Sequence, residues 1–346
     1  MYLQNAKARI VDEIAAHKQP LCYQRGDLFD RPKHAIFAAQ ETLATSNSDN
    51  RKPDALYHLD ILVWIPHLLA KRVTLKCECG LHLVLNGFNS NPIARRVRRR
   101  PTDYFLLTNR YLCNPDRVNN PGCGRSYQGT DVHIFGQLPR LVQLAFPVYL
   151  SARSAIDKQM MVEVVNLFTS RVGPGPYSEL FAESQYREHA DRELIWLAAA
   201  DYHGFTGVKP FSSFNDPFQY GGFSLSVNYI RAMFVDWFAA HHIFFDRSMA
   251  AKPGTRLAGD HTFWTVNHTG KLKGEPVHTA LYSVVNEYEE VRATTLCLTK
   301  AMPFVQGLYE GIEKGLKEHG HKPTQVVYCD QPQGKSWFSF QFLAYL

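Results

Sequence analysis

Between Gly259 and Asp330 the spacing of apolar residues changes in a way that outlines a domain. Gly259-Asp260-His261-Thr262-Phe263-Trp264, Val277 to Val285 and Val291 to Thr299 are short runs rich in β-branched and aromatic residues. Turn chemistry at Lys273-Gly274 and Asn286-Glu287 separates them, which predicts three strands in meander order. Pro303 to His319 then sets Phe304, Leu308, Ile312 and Leu316 four residues apart behind an initial proline, as a helix would. Val326-Val327-Tyr328-Cys329-Asp330 returns as a fourth strand.

Upstream, helical spacing dominates. Met1 to Lys18 reads as an amphipathic helix with Ile10, Ile14 and Ala15 on one side, and residues 20 to 56 read as mostly irregular. Leu59 to Pro66 is a short apolar strand stopped by proline. Helices are predicted over Asp157 to Ser170, with Met161, Val164, Val165 and Phe168 on one face, over Tyr177 to Ala200, and over about Ser226 to Arg247. Adjacent histidines at 241 and 242 point about 100° apart on a helix, so they suit core or surface roles better than one shared metal ion. Gly307, Gly311 and Gly315 leave one edge of the last helix bare, which predicts close approach to the sheet.

The order β-β-β-α-β, with Asp260 in the first strand and Asp330 at the end of the fourth, is that of the front half of a ribonuclease H-like domain. There the first and fourth strands are neighbours, so two carboxylates could share a divalent cation such as Mg²⁺ or Mn²⁺ and support phosphodiester chemistry. Taken by spacing alone, both residues also fit ordinary strand-end aspartates.

The run GTRLAGDHTFWTVNHTGKLKGEPVHTALYSVVNEYEEVRATTL, followed by VVYCD, resembles the catalytic domain of DDE-type transposases, particularly the Mutator-like group and its domesticated fungal relatives. YQRGDLF, LDILVWIPHLL, NGFNSNPIARRV and LTNRYLC resemble a family of large fungal transposase-like proteins, so the likeness runs from about Tyr23 to Gly334. It implies that Asp260 and Asp330 are the first and second catalytic acids. A third acid is expected on a later helix, beyond Leu346, so the site is expected to be incomplete.

Seven cysteines are present, and four form two groups, Cys77 with Cys79 and Cys113 with Cys123. Zinc takes about four thiolate or imidazole ligands in a tetrahedron, and a tight turn can supply two of them. The spacings C-x-C and C-x₉-C depart from the usual C-x₂-C knuckles, although Gly80 and Gly124 follow each second cysteine. Free thiols, or substitution by His82 or His133, are the alternatives. Between the groups lies Arg95-Arg96-Val97-Arg98-Arg99-Arg100, and residues 71 to 111 carry nine Lys or Arg against Glu78 and Asp103. Net charge is only +6, so any nucleic-acid signal must come from such clustering. Guanidinium groups pair with phosphates and release counterions, whereas the bland readings are a solvated face or a nuclear-import signal.

With 45% hydrophobic residues and no run of 18 apolar residues, the chain reads as a folded intracellular protein without a signal peptide or membrane span. The expected class is α+β: an N-terminal zinc-ribbon-like module, a central helical section and a C-terminal partial ribonuclease H-like α/β domain. The expected boundaries are 1–56 for the lead-in, 57–150 for the basic zinc-ribbon-like domain, 151–250 for the helices and 251–346 for the last domain. The expected function is nuclear, transposase-derived DNA binding with structural Zn²⁺. An active metal-dependent strand-transferase or nuclease, and an interaction protein without nucleic acid, are the alternatives, and self-association stays open.

Overall fold

The computed structural model describes residues 1–45, 51–113, 122–151, 154–268, 270–299, 301–329 and 341–342. These residues form a mixed α+β protein that divides into two compact units, Met1–Val235 and Asp236–Leu346. No described helix is long and apolar enough to cross a membrane.

The first unit opens with helices α1 (Tyr2–His17) and α2 (Leu21–Gln24), strand β1 (Phe29–Asp30) and helix α3 (Ala35–Thr45). Then come β2 (Asp60–Trp64), α4 (Pro66–Leu69), β3 (Val84–Phe88), β4 (Arg95–Val97), β5 (Tyr104–Leu112) and β6 (Ser126–Gln128). Helices α5 (Val132–Gly136) and α6 (Arg140–Ala145) lead to the hairpin of β7 (Val148–Leu150) and β8 (Ala155–Asp157), followed by α7 (Lys158–Thr169) and α8 (Pro174–Tyr202). The boundary between the units falls within α9 (Val227–Ala250).

Strand β5 organises the six-stranded sheet of this unit. Its first half pairs in parallel with β2 and antiparallel with β4, and its second half pairs antiparallel with β3 and β6. The unbroken apolar run Ile61-Leu62-Val63-Trp64 follows from burial on both faces of β2. Leu62 and Trp64 join one core with Tyr104 and Leu106, while Ile61 and Val63 join another with Ile10 and Leu107. A continuous hydrophobic run is what a strand covered on both sides requires.

Residues 20 to 56 are more ordered than their composition predicts. Helix α3 buries Ala38, Ala39 and Leu43 against Trp196 and Ala200 of α8. Its buried side is small and alanine-rich, so the pattern is weak locally and the helix is fixed by a partner about 150 residues away in sequence. Helix α7 is better signalled: Asp157 precedes it and accepts from the Gln159 N–H at 2.8 Å, capping its first turn.

The second unit contains β9 (Arg256–Thr262), the small hairpin of β10 (Lys271–Leu272) and β11 (Glu275–Pro276), β12 (Ala280–Asn286), β13 (Val291–Cys297), α10 (Gln306–Glu318), β14 (Val326–Cys329) and β15 (Gln341–Phe342). Its main sheet runs β13-β12-β9-β14-β15. Strand β12 is antiparallel to both β13 and β9, whereas β14 lies parallel to β9 and β15 parallel to β14. Alternate residues of β9 and β12 are buried, and Leu257, Tyr282 and Val284 pack with Tyr309, Ile312 and Leu316 of α10.

Two details of this unit depend on glycine. A Cβ on Gly259 would lie 2.1 Å from the Tyr282 hydroxyl and 2.6 Å from that of Tyr309, which bond to each other at 2.8 Å. Gly259 therefore makes room for the tyrosine pair. The bare edge of α10 differs from expectation: Cβ atoms on Gly307 and Gly311 would meet nothing within 4 Å, and only Gly315 is crowded, 3.1 Å from the Ala250 carbonyl oxygen. The helix turns Tyr309, Ile312 and Leu316 to the sheet, so the first two glycines border a groove instead of a contact. Phe304, expected on the buried stripe, is about half exposed, and Val305 is buried in its place.

Candidate metal centre

The two cysteine groups lie in two turns that meet. In the first, backbone pairing of Lys76 with His82, with the Cys77 N–H donating to Leu81 O at 2.8 Å, forms a tight hairpin closed by Gly80 at φ 87°. In the second, the hairpin of β5 and β6 extends past Leu112–Ser126, with the Cys113 N–H donating to Arg125 O and the Gly124 N–H to Cys113 O. Gly124 has φ 72°, a left-handed conformation that favours glycine. Cys113 thus lies paired with Gly124 and Arg125 at the hairpin end, so the C-x₉-C spacing still delivers both thiols to one place.

All four sulfur atoms lie within 4.8 Å of one another. Cys77 Sγ is 3.4 Å from Cys123 Sγ, and Cys79 Sγ is 3.4 Å from Cys113 Sγ. A zinc ion with bonds of about 2.3 Å to four thiolates would set the sulfurs roughly 3.8 Å apart. The group therefore fits a tetrahedral ion, and Cys77, Cys79, Cys113 and Cys123 can hold a metal such as zinc. His82 and His133 are outside the group; the His133 ring packs against Tyr127 and its Nε2 sits 2.8 Å from Lys76 O.

Three supporting residues escaped the sequence reading. The buried Tyr127 hydroxyl lies 3.3 Å from Cys77 Sγ, and Glu78 of the first turn pairs with Arg125 of the second. Alternation in β6 points Tyr127 inward and leaves Ser126 and Gln128 exposed, a weak signal in so short a strand. Burial opposes ionisation of the Cys77 thiol, but Tyr127 and the neighbouring thiols outweigh it and hold its pKa down to about 6. Burial pushes Cys113 up to about 12, and the adjacent thiols add to this. A metal ion would displace the remaining protons, as thiolate ligation requires.

The arginine run has a different structure from the exposed phosphate-binding face expected of it. Asp103, almost fully buried, accepts from Arg96 Nε at 2.7 Å, from Arg98 Nη1 at 2.5 Å and from the Arg99 N–H at 3.3 Å. Arg99 pairs with Asp60 at 3.0 Å, and Arg100 pairs with Glu163 at 2.5 Å. Arg95 donates to Ser151 O at 2.8 Å, and Arg98 lies 3.8 Å above the Phe223 ring. Burial lowers the Arg98 pKa and Asp103 opposes that shift. Contiguous charge in sequence reads as a solvated face because the distant carboxylates Asp60 and Glu163 cannot be matched to it. In the fold the run is an internal clamp.

In the second unit Asp260 is exposed on β9, and its carboxylate accepts from the His261 N–H at 2.7 Å. Strand β14 runs beside β9 as far as the Cys329–Gly259 register. Asp330, the other expected acid, lies outside the described residues. His241 Nδ1 sits 2.7 Å from Trp237 O and its ring stacks on Trp237, while His242 is exposed. Cys22 and Cys297 are buried and Cys329 is partly so.

Fold and site together define a mixed α+β protein carrying a four-cysteine group suited to a metal ion. No protein-family model matches the chain, and no curated protein matches it.

Proposed function

We propose that the chain is a transposase-derived, zinc-stapled protein of fungal type that binds DNA in the nucleus. The observation that carries the reading is the sheet of the second unit, in which β9 lies between antiparallel β12 and parallel β14 with α10 as the crossover. That is the arrangement a partial ribonuclease H-like domain requires, with Asp260 on its first strand. The four-cysteine group supports a zinc-ribbon-like module in the first unit. With four of the five arginines ion-paired internally, phosphate contact falls instead to cations such as Lys71, Arg72 and Lys76, which are exposed ahead of and within the first cysteine turn.

Zinc content and DNA binding test this directly. Purified chain should carry one zinc per molecule, and log K for duplex DNA should fall with log salt by about 0.9 for each phosphate neutralised. Changing Lys71, Arg72 and Lys76 to Gln should flatten that slope. Tight binding that ignores salt, or no binding by a folded zinc-loaded protein, refutes the proposal. The alternative, cleavage through Asp260 and Asp330 with Mg²⁺ or Mn²⁺, predicts nicking of labelled DNA that Asp260→Asn abolishes.

A further inference from the structure

We infer that the four-cysteine group is also a site of reversible oxidation, in which the thiols pair across the two turns as Cys77–Cys123 and Cys79–Cys113. The inference shares its residues with the metal reading, but the pairing itself requires no metal. Four cysteines allow three connectivities, and the structure distinguishes among them. The two 3.4 Å sulfur contacts both join one turn to the other. Each contact also couples an exposed cysteine to a buried one: Cys123 to Cys77 and Cys79 to Cys113. Exposure decides which sulfur an oxidant reaches, and proximity decides which one resolves the product.

With a peroxide as oxidant, the exposed thiolate attacks one peroxide oxygen, the O–O bond breaks, and a sulfenic acid and hydroxide form. The buried partner thiolate then attacks the sulfenic sulfur, the S–S bond closes, and a second hydroxide leaves. Each disulfide thus takes two electrons from two thiolates and reduces one peroxide to two hydroxides, which are protonated to water. Two peroxides consume all four thiolates, leaving nothing to hold a metal ion. The Glu78–Arg125 ion pair spans the same two turns, so oxidation would join a framework already held together.

The test is disulfide mapping by mass spectrometry of the full chain, zinc-loaded and metal-free, after hydrogen peroxide and unreduced digestion. Two linkages per chain, 77–123 and 79–113, are expected in both forms, with one zinc released per two disulfides from the loaded form and reversal by dithiothreitol. Cys22, Cys297 and Cys329 should stay reduced. Linkage within a turn, the 77–113 with 79–123 pattern, or thiols that stop at sulfinic acid overturns the inference. The two linkages in a chain that never binds zinc would refute the metal reading and leave this one standing; a zinc-binding chain without them would do the reverse.

Discussion

The cysteine group and the arginine clamp flank the same strand: Asp103 immediately precedes β5 and Cys113 immediately follows it. Their charge balance differs. The guanidinium groups of the clamp have carboxylates from their own chain, with Asp103, Asp60 and Glu163 each within 3.0 Å of a partner. The thiols have each other and a phenol, and ionising all four would put like charges within 4.8 Å, while Arg125 of the same turns is already paired to Glu78. A set of charges paired internally holds the fold together without a ligand, whereas four adjacent thiols have a use for a cation.

The largest effect should come from removing that cation. Chelation of zinc should cost the first unit on the order of 10 kcal/mol, and Cys113→Ser at one of the two buried ligands part of that, unfolding the cysteine turns with loss of amide protection around β5 and β6. Zinc affinity should also weaken as pH falls. Protons already compete for Cys113 at neutral pH, and below about 6 Cys77 adds a further one, so the dependence steepens there. A chain equally stable with and without zinc would reduce the centre to four adjacent thiols.

The clamp should fail in a different manner. Asp103→Asn leaves Arg96 and Arg98 without their shared carboxylate, one of them nearly buried, and breaking such a group costs about 3–5 kcal/mol. Urea denaturation reads this loss. Replacing Asp103, Arg96 and Arg98 together by apolar residues of similar volume should recover most of it, because a buried ionic cluster stabilises little over a packed apolar one. If Asp103→Asn instead weakened DNA binding at unchanged stability, the arginines would be acting as a surface.

These regions also mark where sequence reading succeeds. The strands around Asp260 and the four cysteines were legible because period-two alternation, turn residues and paired thiols are local signals. Where the partner of a residue is distant, local signals fail. Helix α3 depends on Trp196, the arginine run on Asp60 and Glu163, and the C-x₉-C spacing on a hairpin whose strands supply the convergence. Tyr127 beside Cys77 carried only the weak mark of one inward residue in a three-residue strand.

In the second unit the effects are smaller and test packing. Gly259→Ala drives a methyl group into the Tyr282 and Tyr309 hydroxyls and should cost about 1–3 kcal/mol, the usual range for overpacking. Tyr282→Phe, which removes the closest of these oxygens, should restore part of the loss in the double variant. A fully additive pair would mean that the tyrosines do not sense this glycine.

The glycines of α10 divide by surroundings, and the difference sets the sign of the smallest effect. A methyl group on Gly307 or Gly311 enters open space, so alanine there gains helix propensity and should stabilise the unit by up to about 1 kcal/mol each. At Gly315 the same methyl group lies 3.1 Å from the Ala250 carbonyl oxygen, tighter than an ordinary contact, and the propensity gain is offset by displacement of α9 backbone. Melting temperatures of the three single alanine variants should therefore rise, rise and fall. Because all three glycines lie on one helix with the same intrinsic preference, a uniform response would show that propensity alone governs α10, and that its approach to Ala250 has no energetic weight.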